Sequence, residues 1–455
     1  MLRKLPGFMT RLIGRGSSTR LPVPDIHTRD HHTISRKDIS KPALDVLYGL
    51  HKAGYKAFLV GGSLRDLLTG GHPKDFDVAT DAPPEAVEKL FRRSRIIGRR
   101  FRIVHVYFGR DVIEVATFRA LADDHDEQRQ SDDGMLLRDN VYGTIEEDAL
   151  RRDFTINALY YNIADFTLYD FVGSLKDIEK RRIRLIGDPE TRYREDPVRM
   201  LRAARFAAKM QFDIDPATEK PIHQLNELLY QVPAARLFDE VLKLFLGGYA
   251  RQSLASLQQL GLLEILFPSL AHHLHDSADK QVWQRMLEAA MDNTDARLAR
   301  GKPVTPAFLY AVLLWPDVRA RYQQLCDSGM PAAPAMNKAA TAALQEQLQV
   351  TSIPKRFSSV MRDIWALQTR LHVRHGNRAE ALVTQPKFRA GYDFLLLREE
   401  SGELEPGLGD WWTRYQDAHP DQREAMASKV KPSGGKPRRK RRRRRKPRPD
   451  SGGDD

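Results

Sequence analysis

Two aspartates separated by one residue, Asp75 and Asp77, are the side chains of this sequence best suited to chemistry. Residues two apart in a β-strand point to the same face, so both carboxylates would project together while Phe76 turns into the core. Two like charges held this close repel each other unless a cation lies between them. Magnesium suits the pair because it takes one or two carboxylates and completes its shell with phosphates and water. An isolated Asp-x-Asp is more often a solvated acidic turn, so the neighbouring residues decide whether the pair is a metal site.

A glycine turn precedes the aspartates and supplies that context. Gly61 and Gly62 lie between an apolar strand and the start of a helix. Glycine lets backbone N–H groups approach a phosphate closely, and a helix N-terminus favours anions. Arg65, one turn into the helix, would add a guanidinium for a triphosphate, or else form a salt bridge with Asp66 or Asp75. The turn and the carboxylates together predict a site for metal-bound phosphates.

A third carboxylate would complete a site for two metal ions, one activating the nucleophile and one holding the leaving phosphate. Glu114 is flanked by apolar and β-branched residues, so it lies on one face of a strand, either in the site or pointing outward to solvent. Asp153 follows Arg151 and Arg152, which would bind phosphates and a ribose hydroxyl or form a plain ionic network at a helix end. The residues leave Glu114 and Asp153 as alternatives.

An arginine stripe lies farther along the chain. Arg199, Arg202 and Arg205 recur at helical spacing. Glu195 and Asp196 come at the start of that helix, where the helix dipole favours acids. An arginine held by an acid presents its rigid donor fork to the edge of a base. The stripe therefore predicts a binding surface, with a solvated helix carrying local ion pairs as the alternative.

The elements that must position these residues alternate between strands and helices up to about residue 118, which favours a small α/β domain. A polar stretch at 119–139 predicts a long surface loop. A strand pair follows at 158–163 and 167–171, and the pattern is helical from residue 189 onward. We therefore expect an α/β head, an elongated helical neck and body, and a disordered basic tail.

Composition excludes several classes of protein. The chain has 455 residues, of which 41% are hydrophobic, enough for two to four packed units. No apolar run reaches the roughly 18 residues that a membrane span needs. Cys326 is the only cysteine, which excludes intrachain disulfides and cysteine metal clusters and fits a reducing, cytoplasmic location.

The positive charge is concentrated near the C-terminus. The net charge is +13, and eleven of the thirteen residues from Lys436 to Arg448 are lysine or arginine. Such a run cannot fold alone, and phosphate backbones attract it without reading sequence. We expect the tail to contact RNA, with a role in solubility as the alternative.

Five motifs between about Ala57 and Lys209 resemble those of the bacterial poly(A) polymerase and CCA-adding enzyme family, the class II branch of the polymerase-β-like nucleotidyltransferases. They read LVGGSLRDLLTGGHPKDFDVAT, IEVATFR, RRDFTINALYY, DFVGSLKDI and EDPVRMLRAARFAAK. One branch of the family adds adenylates to RNA 3′ ends, and the other adds CCA to transfer RNA. The segment 96–109, the run 157–170 and the basic tail resemble the poly(A) polymerase branch, although Arg110 replaces the proline that usually closes the first of these.

The resemblance assigns chemistry to the motifs. It implies that Asp75 and Asp77 bind two catalytic Mg²⁺ ions, with Mn²⁺ as a substitute, and that Asp153 also belongs to the active site. Glu114 stays as the alternative third metal-binding carboxylate. The residues implied to bind ATP are Gly61, Gly62, Arg65, Arg151, Arg152, Glu195, Asp196 and Arg199.

Two motifs have implied roles beyond binding phosphate. The segment from Glu195 to Arg199 matches the motif that selects the nucleotide base through protein contacts, without a template. The segment from Asp170 through Gly173 to Asp177 matches a motif thought to act as a spring between head and neck. The resulting divisions are a flexible N-terminal arm (1–40), the nucleotidyltransferase head (41–180), a helical neck with base recognition (181–250), a helical RNA-binding body (251–425) and the basic tail (426–455).

The residues and the resemblance together predict template-independent addition of AMP from ATP to RNA 3′ ends, a polyadenylation that promotes RNA processing and decay. The alternatives are a CCA-adding enzyme and a non-catalytic RNA-binding scaffold. A retired enzyme would be expected to lose one carboxylate of the pair, and both remain. We expect ATP and RNA 3′ ends as substrates, RNA-decay or RNA-chaperone proteins as partners, and a monomer.

Overall fold

A mixed sheet of eight strands organises the N-terminal part of the computed structural model, which describes residues 21–98, 102–121 and 141–430. The strands are β1 (Asp25–His27), β2 (Ala57–Val60), β3 (Asp77–Thr80), β4 (Ser94–Ile97), β5 (Ile103–Phe108), β6 (Asp111–Thr117), β7 (Leu159–Asn162) and β8 (Leu168–Asp170). Their order in space is β1-β8-β7-β2-β3-β6-β5-β4. Neighbours are antiparallel except β3 and β6, which run parallel, with the start of β3 beside the middle of β6.

Five α-helices within residues 21–98, 102–121 and 141–180 accompany this sheet. The first of them shows why the sequence folds as it does: the Ser40 hydroxyl accepts a hydrogen bond from the Ala43 N–H, a proline follows in the first turn, and the buried face carries Val46, Leu47 and Leu50. That apolar face packs on β2 and β3. The helices are α1 (Lys41–Lys52), α2 (Gly62–Leu68), α3 (Pro84–Leu90), α4 (Ile145–Arg151) and α5 (Ser174–Glu179).

An aromatic cluster fills the head beneath β2 and β7. Phe58 contacts Phe118 and Tyr160 at ring-centroid distances of 6.0 and 6.1 Å, and Tyr160 meets Phe171 edge-on at 5.7 Å. All four side chains are buried. Edge-to-face packing of this kind adds stability beyond the apolar area it buries. These contacts fix the Tyr160 ring and therefore the position of its hydroxyl group.

A turn between β8 and α5 joins the sheet to the segment that follows it. Asp170 Oδ1 accepts hydrogen bonds from three consecutive backbone N–H groups, and Oδ2 accepts one from Leu175. Asp177 Oδ2 accepts from the Thr155 hydroxyl at 2.7 Å and from Arg184 Nε at 2.8 Å. Gly173 has φ 80°, which a side chain would strain. Hydrogen bonds to Asp170 and Asp177 thus hold this turn in one conformation, and its role as a spring stays a prediction.

From residue 189 to residue 430 the described chain is mainly helical, and a two-stranded parallel sheet pairs β9 (Arg182–Ile183) with β10 (Asp213–Ile214). The helices before residue 268 are α6 (Pro189–Glu195), α7 (Val198–Met210), α8 (Pro216–Leu225), α9 (Ala234–Phe245), α10 (Ala250–Gln259) and α11 (Leu263–Leu266). Those that follow are α12 (Pro268–Asp276), α13 (Lys280–Ala299), α14 (Pro306–Leu313), α15 (Trp315–Asp327), α16 (Ala332–Gln347), α17 (Lys355–Gln368), α18 (Asn377–Val383), α19 (Phe388–Glu400), α20 (Leu408–Asp417) and α21 (Pro420–Lys429).

The described residues form two compact units. One comprises residues 21–268, 291–303 and 349–352, and the other comprises 269–290, 304–348 and 353–430. The second has its own core, in which the Trp412 indole N–H donates to the Leu371 carbonyl at 3.0 Å and its ring meets Phe388 at 5.1 Å. Each unit therefore has an apolar interior of its own.

The predicted α/β head and helical remainder are confirmed, and two predictions differ from the structure. Residues 25–27, within the predicted flexible arm, form β1 and pair with β8. Residues 426–429, within the predicted tail, belong to α21. Residues 1–20, 122–140 and the basic run 436–448 lie outside the described residues, as do 99–101 of the poly(A)-branch signature.

No helix among residues 21–98, 102–121 and 141–430 is long and apolar enough to cross a bilayer.

Replacing Asp170 with alanine removes the acceptor for four backbone N–H groups in a buried turn. Because such donors lose their partner without regaining water, the substitution should cost about 2–4 kcal/mol of unfolding free energy. Denaturant unfolding measures the loss, and Asp239→Ala at an exposed position should change stability little. Equal stability of the two variants would contradict the role given to this turn.

Candidate active site

The paired aspartates lie where β3 begins. Asp75 and Asp77 are exposed, while Phe76 between them is 4% exposed, the alternation expected of an extended segment. In the sheet, Asp77 is in register with Val60 on one side and with Glu114 on the other. The parallel pairing of β3 and β6 therefore brings Glu114 beside the aspartates, which the sequence had left undecided.

Negative charge accumulates where β3 begins, beside β6. The Asp77 carboxylate keeps access to solvent, yet enough protein surrounds it that partial desolvation, with repulsion from Glu114, raises its pKa to about 6. Asp75 adds to the repulsion, and Arg152 opposes it. Glu114 also lies 3.4 Å from His105 Nε2. A divalent cation would relieve this repulsion directly.

The donors present fit magnesium, although they do not surround it. No three histidine, cysteine or carboxylate side chains among the described residues are arranged to hold a metal ion together. Asp75 and Asp77 offer hard oxygen ligands on an open face, and Mg²⁺ usually keeps several waters and takes its remaining ligands from substrate phosphates. The arrangement suits a metal ion that arrives with a nucleotide.

The glycine turn lies against the same carboxylates. Gly61 has φ 77°, and a Cβ atom there would lie 3.3 Å from Asp77 Oδ2 and 3.9 Å from Arg152 Nη1. A Cβ at Gly62 would lie 3.1 Å from Arg65 Nη2. The two glycines therefore leave open the space where the chain turns between Asp77 and two guanidinium groups.

Arg65 is buried and has partners within the protein. Its Nε and Nη2 donate to Asp66 Oδ1 at 2.8 and 2.6 Å, and its Nη1 donates to Asn157 Oδ1 at 2.6 Å. Asp66 in turn pairs with Lys209 at 3.0 Å. The salt bridge to Asp66, one of the two alternatives for Arg65, is thus present, and a phosphate contact by Arg65 stays a prediction.

Arg152 is held by side chains that the sequence analysis did not single out. Its Nε donates to the Tyr160 hydroxyl at 2.8 Å and its Nη2 to Asp148 Oδ2 at 3.1 Å, while Tyr160 donates to the same Asp148 oxygen at 2.6 Å. Burial acts to lower the pKa of Arg152, but the contacts with Tyr160 and Asp148 outweigh it and raise that pKa. Arg152 is thus a fixed cation beside the glycine turn.

Asp153 faces a different set of partners from the aspartate pair. Its Oδ1 accepts hydrogen bonds from the Phe154 N–H and the Asn157 amide, and its Oδ2 accepts from Arg202 Nε at 2.7 Å. Burial acts to raise its pKa, but Arg202 and these hydrogen bonds hold it at about 2. Both oxygens of Asp153 are engaged by protein donors, whereas Glu114 lies in register with Asp77; which of the two completes the metal site stays a prediction.

The acids of the base-selection motif also have partners. Glu195 Oε2 accepts from Arg192 and Arg199 at 2.7 and 2.8 Å. Asp196 Oδ2 accepts from Arg236 Nη2 at 2.8 Å. Of the predicted stripe, Arg199 and Arg202 make these inward contacts.

Arg205, the last member of the stripe, has a different environment. Its guanidinium carbon lies 4.8 Å from the centroid of the Phe206 ring, on the same helix α7. It does not line the cavity that Arg199 and Arg202 share. The predicted stripe therefore divides into two positions that line the cavity, Arg199 and Arg202, and one that packs on Phe206.

Several guanidinium groups lie close together where α4 meets α6 and α7. Burial and repulsion from neighbouring arginines lower the pKa of Arg151 to about 9 and that of Arg192 to about 10. Arg192 Nη2 donates to the carbonyl oxygens of Arg151 and Arg152, which ties α6 to the end of α4. Arginines that depress one another's pKa form a ready site for an anion.

A polar cavity of about 310 Å³ adjoins these arginines. The sequence predicted several of its walls but missed Arg236 and Glu240, which are one turn apart on α9 and so reach the same side. The helical spacing of Arg236 and Glu240 can be read from the sequence, whereas the packing of α9 against α7 cannot. The lining residues are Arg152, Asp153, Asp196, Val198, Arg199, Arg202, Arg236 and Glu240.

Known protein families match three stretches of the chain. Residues 57–184 match the family described as Poly A polymerase head domain, 211–274 the probable RNA and SrmB-binding site of polymerase A, and 328–446 the polymerase A arginine-rich C-terminus. A solved tRNA-processing enzyme (apo form I) has a similar fold with a TM-score of 0.61, at 20% identity over 88% of this chain and 100% of that one. The head is that of a nucleotidyltransferase.

Full-length relatives narrow the class. Poly(A) polymerase I of Escherichia coli O6:H1 is 46% identical over 443 residues, covering 94% of this chain and 95% of the relative. The CCA-adding enzyme of Bacillus subtilis is 40% identical over 230 residues, covering 50% of this chain and 56% of the relative. The chain therefore belongs to the poly(A) polymerase I family and is a polynucleotide adenylyltransferase.

Asp77→Asn should stabilise the protein in the absence of metal, and the gain should depend on pH. A raised carboxyl pKa means that stability is lost as pH rises from about 4 to about 6, because the folded state then holds a carboxylate it disfavours. The shift corresponds to at most about 3 kcal/mol, and solvent screening at this open side chain reduces it to about 1 kcal/mol. Melting curves in EDTA at pH 4.5 and 7.5 measure the gain.

The Asp77→Asn gain should be larger at pH 7.5, and the neutral side chain should also weaken any stabilisation by added Mn²⁺. Asp111→Asn, an exposed substitution in the same sheet, is the matched control. A gain that is equal at both pH values would contradict the charge repulsion described here.

Proposed function

We propose that this protein adds AMP residues from ATP to RNA 3′ ends without a template, producing adenylate tails that promote RNA processing and decay. The main support is the match to Poly(A) polymerase I relatives along nearly the whole chain, including the stretches outside the head. The CCA-adding relatives match about half of it. This difference favours tail addition over CCA addition.

The proposed reaction is an in-line displacement. The RNA 3′-hydroxyl attacks the α-phosphorus of ATP, the bond between the α-phosphorus and its bridging oxygen breaks, and pyrophosphate leaves. Two magnesium ions, when bound, would lower the pKa of the attacking hydroxyl and neutralise charge on the leaving group. Asp75 and Asp77 would hold them, and the position of Glu114 beside Asp77 supports it as a third carboxylate.

The residues around the carboxylates would hold ATP in place. Gly61 and Gly62 leave room for phosphate beside Asp77, and Arg152 is fixed next to them. Repulsion between Arg192 and Arg199 supports an anion as the occupant of this region. Positioning and charge neutralisation, rather than covalent chemistry, would account for most of the acceleration.

The RNA would be held largely through its phosphates. The relatives' name describes a polymerase of poly(A), and one matched family is described as a probable RNA-binding site. The basic run 436–448, outside the described residues, carries eleven cations and would add salt-sensitive, sequence-independent affinity.

Asp75→Asn and Asp77→Asn should each lower the rate of AMP addition by at least 10³-fold without loss of fold, because metal-dependent charge stabilisation contributes several kcal/mol. The assay extends a short labelled RNA with ATP and Mg²⁺ and follows product length on a gel. Asp111→Asn should retain the wild-type rate. Near-normal rates in either of the first two variants would overturn the assignment.

Each nucleotide supplied alone separates the two activities of the wider family. ATP should give a ladder of long products on an unrelated RNA, and CTP should give little extension. A transfer RNA lacking its CCA end, incubated with ATP and CTP, should be extended without a stop after three residues. Addition that stops at CCA on that substrate would instead support the CCA-adding alternative.

A further inference from the structure

One face of the sheet continues from the carboxylates to the edge strand β4. Asp77 pairs across strands with Glu114. Glu114 pairs in turn with His105, and His105 with Arg95. Residues paired directly across neighbouring strands lie on the same face of a sheet. Since Glu114 and Arg95 are exposed and His105 is partly buried, this row begins at the predicted metal site and ends at a cation that faces solvent.

A second row runs beside the first and carries apolar and aromatic surface. Tyr107 on β5 pairs with Val112 on β6, and its N–H donates to the carbonyl of Arg93, just before β4, at 2.8 Å. Tyr107 is 36% exposed and Val112 is 39% exposed. The Tyr107 ring meets the His105 ring edge-on, with 6.2 Å between the centroids. The strand order therefore places two rings between the carboxylates and two exposed arginines, Arg93 and Arg95.

The opposite face of the same strands belongs to the core of the head. Val104 and Val106 of β5, with Ile113 and Val115 of β6, are 1–3% exposed, and helices α1 and α3 lie against these strands. A lone apolar side chain on a surface needs no explanation, whereas here exposed rings, arginines and carboxylates are contiguous. The exposed face therefore suits a ligand that carries both rings and negative charge.

We propose that this face holds the last nucleotides of the RNA primer as its 3′ end approaches the carboxylates, with a base stacked on Tyr107 and phosphates at the arginines. The proposal rests on the proposed function, since it takes the RNA 3′-hydroxyl to lie at the metal site. Aromatic side chains beside cations are the surface that binds single-stranded RNA, because bases stack and phosphates are charged. The primer face is defined by Arg93, Arg95, His105, Tyr107 and Val112.

The spacing of the strands fixes which nucleotide meets Tyr107. Strands lie about 4.8 Å apart and rise about 3.4 Å per residue, which places Tyr107 about 12 Å from Asp77. The terminal nucleotide brings its hydroxyl to the carboxylates, so the base on Tyr107 belongs to a nucleotide upstream of it. Stacking tolerates any base, so the primer face holds any RNA end, including adenylates already added. Its strand β5 lies within the segment 96–109, which resembles the poly(A) polymerase branch.

A strand of another protein molecule is the competing occupant. An edge strand such as β4 offers unpaired backbone groups to a neighbouring chain. Charged side chains on an edge strand discourage such pairing, and Arg93 and Arg95 are both charged and exposed. The same two cations attract the phosphates of RNA. The charges therefore favour RNA over an added strand.

The test measures kcat and KM for a short labelled oligoadenylate primer, and KM for ATP, with the full-length chain. Tyr107→Ala should raise KM for the primer about tenfold and leave KM for ATP within about twofold, because lost stacking weakens primer binding alone. Tyr107→Phe keeps the ring and should restore the wild-type value. Fluorescence anisotropy of the same primer gives its affinity without catalysis.

Arg95→Gln tests the cationic part of the primer face. Losing one phosphate contact should lower the slope of log affinity against log salt concentration by about one. Tyr230→Ala and Arg300→Gln, at exposed positions in the same compact unit, are the matched controls and should keep wild-type values.

An unchanged primer KM in Tyr107→Ala would overturn the proposal. A changed elution volume in size-exclusion chromatography, with primer KM unchanged, would also overturn it and assign the face to contacts between copies of the chain. If Tyr107→Ala fails to fold, the salt slope of Arg95→Gln decides alone. A wild type that binds the primer but does not extend it with ATP would contradict the proposed function, and anisotropy of the variants would still decide the role of the face.

Discussion

Repulsion among the carboxylates beside the start of β3 is the constraint on which the rest of the site depends. The parallel pairing of β3 with β6 places Glu114 beside Asp77, and the alternation of exposed and buried residues leading into β3 leaves Asp75 exposed as Asp77 is. The fold holds these charges together against a penalty that raises the pKa of Asp77 to about 6. Stability given up at such a position is typical of a site that awaits a cation.

Positive charge is arranged in the complementary way. Tyr160 and Asp148 fix Arg152 against the glycine turn, and Arg192 links the backbone of that arginine to Glu195. The carboxylate edge and the arginine-lined cavity therefore meet at Arg152, which lies near Gly61 and also lines the cavity. A nucleoside triphosphate has the matching distribution: an anionic chain that brings metal ions, and a neutral base with donors and acceptors.

Much of this arrangement was predictable from local sequence. The strand period placed Asp75 and Asp77 together, and glycine chemistry identified the turn at Gly61. Pairing between distant elements was not predictable: register decided that Glu114 faces Asp77, and α9 brought Glu240 to the cavity. The missed strands β1 and β4 are the two edges of the sheet, where short, half-exposed segments carry little hydrophobic periodicity.

The central claim is that two alternating aspartates bind divalent metal together with a nucleotide. Titration of Mn²⁺, followed by the loss of its free-ion paramagnetic resonance signal in the presence of a non-hydrolysable ATP analogue, measures that binding directly. The account predicts tight binding of two Mn²⁺ ions per chain in the wild type and a loss of at least tenfold in affinity when both aspartates are replaced by asparagine. Unchanged affinity and stoichiometry in the double variant would contradict it.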